Sequence, residues 1–106
     1  MDYTIIEVPH LNDAFVRVVI RRKVWELRFT YNNATDCWKF GIYDSRRNPL
    51  VQDIKIVPGI PLNHAFCKDS FPHVFFGVIT KLDRIGYRDF WDGNAKFVFS
   101  EMPDES

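Results

Sequence analysis

The strongest constraint on the fold is a two-residue alternation of apolar and polar side chains near the middle of the chain. From Val24 to Tyr31 the sequence reads VWELRFTY, and its apolar positions lie on one face of a predicted strand. A turn of Asn and Asp residues follows, and the run CWKFGIYD repeats the pattern. Pairing Tyr31 with Trp38 aligns both apolar faces, and the same register sets Phe29 opposite Phe40. The pattern predicts an antiparallel hairpin that is buried on one side.

Further alternating or β-rich segments extend this hairpin in both directions. After a polar turn, LVQDIKIV (residues 50–57) alternates again, and Pro58-Gly59 closes it as a type II turn. Residues 63–72 lack a clear period and predict a loop or one helical turn, and residues 83–94 predict a long connection with room for a short helix. The predicted strands are residues 3–8, 14–20, 24–31, 37–44, 50–57, 74–82 and 95–101.

The length and the apolar content predict a single folded domain. A chain of 106 residues accommodates one core, and 46% hydrophobic residues are enough to build it. We expect residues 1–106 to form one all-β domain, a small barrel or sandwich of about six to seven mostly antiparallel strands, with a frayed tail at 102–106. The expected core comprises Trp25, Leu27, Phe29, Trp38, Phe40, Ile42, Ile54 and Ile56.

Charge and hydropathy weigh against two classes of partner. The 14 basic and 14 acidic side chains cancel, so the chain has no overall positive field to attract nucleic acid or anionic lipid. Its apolar stretches are far shorter than the roughly 20 residues that span a bilayer. The apolar run in the opening MDYTIIEVPH is too short to predict a signal peptide. We therefore expect synthesis in the cytosol, no membrane partner and no nucleic-acid partner.

No group of residues has the spacing of a catalytic or metal-binding motif. His10, His64 and His73 are isolated from other metal-type ligands, and no nucleophile or phosphate-loop motif is present. Cys37 and Cys67 form no CxxC pair, and we expect both thiols to stay reduced. The sequence predicts a protein that is not an enzyme and that has no metal and no cofactor.

One alternative function comes from the aromatic residues. Aromatic side chains interleaved with Arg and Lys are typical of OB-like modules, in which exposed rings stack on the bases of single-stranded nucleic acid. In this chain the rings of residues 25–42 share the face that must form the core. A core role is therefore favoured, and an OB-like nucleic-acid-binding module remains the alternative hypothesis.

The segment LRFTYNNATDCWKFGIYDSRRNPLVQDIKIVPGIPL (residues 27–62) resembles the baseplate plug family of contractile-tailed phages, known from cyanophage-type baseplates. With a less distinctive stretch from Gly77 to Phe99, the resemblance covers about two-thirds of the chain. It implies a β domain that serves as a non-catalytic structural subunit of a phage or prophage tail baseplate. It also implies contacts with hub, spike or tail-tube proteins, and we expect a homo-oligomer within the symmetric baseplate. The matching features are Tyr31-Asn32, Trp38, Asp44, Leu50-Val51, Ile54, Ile56 and Gly59 in the segment, with Arg84, Gly93 and Phe97 beyond it.

The candidate interface lies in the aperiodic segment RIGYRDFWDGN (residues 84–94). Aromatic and arginine side chains are the types that most often anchor protein interfaces. Tyr87, Arg88, Phe90 and Trp91 are therefore the candidate contacts to a neighbouring baseplate subunit or to another copy. The alternative is that this loop folds back and caps an open barrel end with its rings buried.

Overall fold

The computed structural model describes residues 3–59 and 74–101, and these residues form seven antiparallel strands. The strands divide into two sheets, with the orders β1-β7-β6 and β2-β3-β4-β5. This confirms the all-β prediction and selects the sandwich over the closed barrel. The predicted loop at 63–72, which contains His64 and Cys67, lies outside the described residues, as do His73 and the tail at 102–106. The strands are β1 (Thr4–Ile6), β2 (Asp13–Ile20), β3 (Lys23–Asn32), β4 (Cys37–Asp44), β5 (Pro49–Lys55), β6 (Val74–Thr80) and β7 (Ala95–Glu101).

The predicted hairpin forms from β3 and β4 in the predicted register. Tyr31 pairs with Trp38 and Phe29 pairs with Phe40 along the antiparallel ladder. Because successive side chains on a strand point to opposite faces, this pairing turns the whole apolar set inward. All eight residues of the predicted core are buried.

The second sheet supplies the other half of the core. Phe76 on β6 and Phe97 on β7 are almost fully buried and face the rings of the hairpin. The Phe97 ring lies 4.9 Å from that of Phe29 and 5.1 Å from that of Phe40, both in edge-to-face geometry. Such pairs add about 0.5–1.5 kcal/mol each to the stabilisation from burial. The two sheets are therefore held together by a central layer of phenylalanines.

Strand β5 departs from the regular alternation that its sequence predicts. The ladder between β4 and β5 shifts register twice, and Asp53 takes a left-handed backbone with φ of 60°. Extra residues on β5 therefore bulge out, and Val51 rather than Gln52 pairs with Ile42. The strand still buries Ile54, as its predicted face requires. Bulges of this kind bend and twist an edge strand without removing it from the sheet.

The two lateral sides of the sandwich differ in whether backbone hydrogen bonds join the two sheets. On one side the chain leaves β5 and crosses to the other sheet, where Gly59 and Val78 exchange backbone hydrogen bonds of 3.0 and 2.9 Å. On the other side β1 and β2 are the edges of different sheets, and no ladder joins them among the described residues. A groove of about 740 Å³ runs between these two strands. We call this groove the seam.

The described part of the chain contains no helix that is long and apolar enough to cross a membrane. The connection from β6 to β7, where the sequence allows a short helix, consists of turns instead. The reason is local. The Asp89 carboxylate accepts a hydrogen bond from the backbone before it and the Asp89 carbonyl accepts from the backbone after it, and these bonds close successive turns.

Candidate interface at an aromatic loop

The candidate interface residues lie on the connection between β6 and β7, residues 83–94, which we call the aromatic loop. The Asp89 carboxylate accepts a hydrogen bond of 2.6 Å from the Gly86 N–H. The Asp89 carbonyl accepts from the N–H groups of Asn94 and Ala95 at 3.0 and 3.1 Å. At the start of the loop Ile85 is buried in the core. These bonds give the loop one defined shape although it lacks regular secondary structure.

The rings of the loop gather around Trp38 of β4. Phe90 and Trp91 meet the Trp38 indole edge to face, each at a centroid distance of 5.8 Å. Tyr87 lies nearly parallel to the same indole at 6.4 Å and also contacts Trp91 at 4.7 Å. The Trp38 Nε1–H donates to the Gly86 carbonyl at 3.2 Å, so the buried indole has its polar partner. The loop therefore covers the end of the hairpin as an aromatic cluster.

A second set of bonds ties the loop to the segment between β1 and β2. The Trp91 Nε1–H donates to the Pro9 carbonyl at 3.1 Å, and the His10 ring lies 4.9 Å from Trp91. The Tyr87 hydroxyl donates to Asn12 Oδ1 at 2.8 Å. Because the loop contacts the chain on two sides, its rings are fixed relative to both sheets.

An ionic network borders the cluster at the β3–β4 turn. The Arg84 guanidinium forms an ion pair with Asp36 at 2.8 Å, and the Tyr31 hydroxyl donates to the same carboxylate. The hydrogen bond from Tyr31, then that from Arg84, lowers the pKa of Asp36. The bond to Asp36 in turn raises the pKa of Tyr31 to about 12. Tyr31 therefore stays a neutral donor at any ordinary pH.

The four predicted contact residues divide into two pairs by exposure. Phe90 and Trp91 are half-buried and pack against the core. Tyr87 keeps 37% of its surface exposed, and the Arg88 side chain is 70% exposed. The only ion pair of Arg88 in the described ranges is a long one to Asp92, at 3.7 Å. The loop thus combines features of both sequence hypotheses, since it covers one end of the fold and presents two side chains to solvent.

The partners that hold the loop could not be inferred from its own sequence. Pro9 is 82 residues from Trp91 in the chain, and Asn12 is 75 residues from Tyr87. Neither carries a motif that would mark it as a contact. The one usable signal was Trp38, whose place in an alternating strand predicted its burial but not the rings that cover it.

The described residues also bear on the other functional hypotheses. They contain no group of three or more His, Cys, Asp or Glu residues placed to hold a metal ion. Cys37 is a half-buried free thiol 3.0 Å from the Thr35 hydroxyl. The rings of β3 and β4 that an OB-like module would offer to bases, Trp25, Phe29, Trp38 and Phe40, are buried between the sheets. A base-stacking platform on that face is therefore not available.

Comparison with known protein families agrees with the resemblance seen in the sequence. The family model described as cyanophage baseplate Pam3 plug gp18 matches residues 1–101. The match includes the first 26 residues, which the resemblance did not cover. No curated protein matches the chain. This protein therefore belongs to the cyanophage baseplate Pam3 plug gp18 family and is a non-catalytic structural component of the phage tail baseplate.

Proposed function

We propose that this plug subunit binds a neighbouring protein of the baseplate, its hub, spike or tail tube, through the exposed part of the aromatic loop. The observation that carries the proposal is the exposure of Tyr87 and Arg88 on a loop whose other rings are fixed to the core. We call these two side chains the exposed rim. Several copies are expected to bind in this way around the symmetric baseplate.

The rim is suited to binding because its conformation is set before the partner arrives. Ordering a flexible loop on binding costs about 0.5–1.5 kcal/mol for each immobilised side chain. The Tyr87 ring already packs against the rings of Trp91 and Tyr31, and its hydroxyl is bonded to Asn12. A partner would therefore meet a fixed aromatic surface, which is a common property of the residues that dominate interface energies.

Arg88 adds a charge that a partner can use. Its pair with Asp92 is long and solvent-exposed on both sides, and such pairs contribute little to stability. A carboxylate of the partner can approach the same guanidinium in bidentate geometry, which is stronger and more specific. The rim therefore favours an acidic or carbonyl-rich surface on the neighbouring baseplate protein.

The test compares two exposed arginines in assembled particles. Arg88→Ala removes the rim charge, and Arg46→Ala removes an exposed arginine on the β4–β5 turn as the matched control. Each variant is supplied in place of the wild-type protein during phage assembly, and its amount in purified tails is measured by quantitative mass spectrometry. We expect Arg88→Ala to fold normally and to be depleted from tails at least about fivefold, which corresponds to about 1 kcal/mol. Arg46→Ala should be incorporated at the wild-type level.

Equal incorporation of the two variants, with infectious particles formed, would contradict the proposal. Tyr87→Ala provides an independent check on the aromatic half of the rim. If it also leaves incorporation unchanged while the purified protein keeps its fold, the aromatic loop serves only to cover the end of the sandwich.

A further inference from the structure

The four strands at the sheet edges are not equally protected against pairing with another chain. Exposed edges are usually blunted by bulges, by proline, by charges or by a covering segment. The β5 edge has its two register shifts and Pro49 at its start, and the β6 edge is covered at Val78 by Gly59. The β2 edge has eight residues in one regular ladder without a bulge, a proline or a covering segment, and its edge-facing residues include two charges of opposite sign, Asp13 and Arg17. Among the described residues it is the longest edge that lacks a bulge, a proline and a covering segment.

The hydrogen-bond phase of β2 shows which residues face the seam. Ile20 and Lys23 flank the two-residue turn of the β2–β3 hairpin, so this pair exchanges hydrogen bonds across the ladder. The hydrogen bond from the Tyr31 N–H to the Asn12 carbonyl fits the same alternation, in which every second residue before Ile20 bonds to β3. The intervening residues therefore direct their N–H and C=O groups away from β3 and toward the seam. These residues are Asp13, Phe15, Arg17 and Val19.

We propose that this edge pairs with β2 of a second copy of the chain, antiparallel and across a two-fold axis at Phe15. In this register the two Phe15 residues are opposite each other. Asp13 of each copy is then opposite Arg17 of the other, because both positions are two residues from the axis. The four-stranded sheets of the two copies join into one continuous sheet, and each β2 edge receives its hydrogen-bond partners.

Charge complementarity selects this register over its neighbours. A shift of two residues in either direction sets Asp13 opposite an apolar side chain. A shift of four residues sets Arg17 opposite Arg17, or Asp13 opposite Asp13, and like charges directly opposite destabilise a ladder. The Arg17 side chain has no ion pair within the described part of the chain. Asp13 pairs with Arg28, but its side chain is 53% exposed and its carboxylate can accept further donors.

The same register also brings together two exposed apolar residues. Leu11 and Val19 have 59% and 61% of their surfaces exposed in the single chain. Val19 lies on β2 and Leu11 lies two residues before the strand begins, each four residues from Phe15, so continuing the register past Asp13 brings Leu11 of one copy opposite Val19 of the other. Pairing therefore covers the two most exposed large apolar side chains of the described residues. The proposal does not depend on the aromatic loop, which lies outside the β2 edge.

The test uses complementary charge reversal in the purified full-length protein. The wild-type chain should show by sedimentation equilibrium a concentration-dependent mass that approaches twice the 12.6 kDa of one chain. Arg17→Glu sets Glu opposite Asp13, and Asp13→Lys sets Lys opposite Arg17, so each variant alone should bind itself at least about 100-fold more weakly. An equimolar mixture should dimerise again, because both cross-copy pairs are then of opposite charge. Circular dichroism confirms the fold of each variant.

Restoration in the mixture supports both the partner and the register. Val19→Lys is a further test that remains available if either charge variant fails to fold. It places a charge in the apolar pair and should also weaken the dimer. A wild-type chain that stays monomeric up to millimolar concentration would overturn the proposal. So would a dimer that all three variants leave unchanged.

Photo-crosslinking from Val19 to a different baseplate protein in assembled tails, without crosslinks between copies, would show that another chain occupies the seam. None of these results bears on whether Arg88→Ala enters tails, so the two proposals fail separately.

Discussion

The aromatic residues of the strands and those of the aromatic loop are used differently. Phe29 and Phe40 lie in alternating strands and are almost fully buried against the rings of the second sheet. Phe90 and Trp91 lie in an aperiodic loop and are half-buried, and Tyr87 beside them is exposed. The rings of Phe29 and Phe40 fill the space between the two sheets, whereas Phe90 and Trp91 pack against the core from outside and stay partly exposed. The difference indicates that the first group provides stability and that the second also provides a surface.

The largest expected effect is at the centre of the core. Phe40 contacts the rings of Phe76 and Phe97, and its removal leaves a cavity that a close-packed interior cannot refill. We expect Phe40→Ala to lower the free energy of unfolding by about 3–5 kcal/mol, measured by urea denaturation. Phe40→Leu, which keeps most of the volume, should cost less than half as much. Unchanged unfolding of the alanine variant would show that this layer is not the core.

Trp91 should have an intermediate effect. Its ring packs on Trp38 and its Nε1–H is bonded to the Pro9 carbonyl, but it remains partly exposed. We expect Trp91→Ala to cost about 2 kcal/mol, roughly half the value for a fully buried ring. Trp91→Phe should recover most of the loss, because it retains the packing and loses one hydrogen bond. If Trp91→Ala costs as much as Phe40→Ala, the loop belongs to the core and the distinction between the two groups fails.

The strand rings could be assigned from the sequence because their positions follow a local rule. Alternation places every second residue on one face, and only one register aligns the two faces of the β3–β4 hairpin. The bulges of β5 were not predictable, since the alternation in its sequence does not mark where the register with β4 shifts or that Asp53 takes a left-handed backbone. The division into two sheets was equally hidden, because β1 pairs with β7 from the other end of the chain.

The loop residues could be identified from composition, but their geometry could not. The clustering of Tyr, Arg, Phe and Trp indicated an interface or a cap. Which rings would be anchored depended on Trp38, Pro9 and Asn12, all far away in the sequence. Contacts of this range arise only when both sheets are assembled. Composition therefore located the candidate site, and the tertiary structure divided it into anchors and an exposed rim.

The ionic border of the loop predicts a smaller, pH-dependent effect. Hydrogen bonds from Tyr31 and Arg84 lower the pKa of Asp36 in the folded protein. The Asp36 carboxylate therefore becomes protonated at a higher pH in the unfolded chain than in the folded one. The stabilisation is therefore fully present above the unfolded pKa of about 3.9 and is lost as pH falls from there through the lower pKa of the folded protein. Thermal melts from pH 6 to pH 3 should show a shallower acid decline in Asp36→Asn than in wild type. An identical decline in both proteins would remove Asp36 from the network.

The smallest expected effect is at the exposed rim. Arg88 makes one long, solvent-exposed ion pair, so Arg88→Ala should change the free energy of unfolding by less than about 0.5 kcal/mol. Chemical denaturation of the purified variant measures this directly. A loss above about 1.5 kcal/mol would place Arg88 among the residues that hold the loop and would weaken its use as a binding residue.

The central claim, that strand rings stabilise and the loop rim binds, is tested most directly by an electron cryomicroscopy map of the assembled tail baseplate at side-chain resolution. We expect Tyr87 and Arg88 to lie within about 4 Å of a neighbouring baseplate protein, the distance at which side chains are in contact. Phe29 and Phe40 should remain enclosed between the two sheets of their own chain. A map in which the aromatic loop faces solvent, with the neighbouring proteins bound elsewhere on the domain, would contradict the claim.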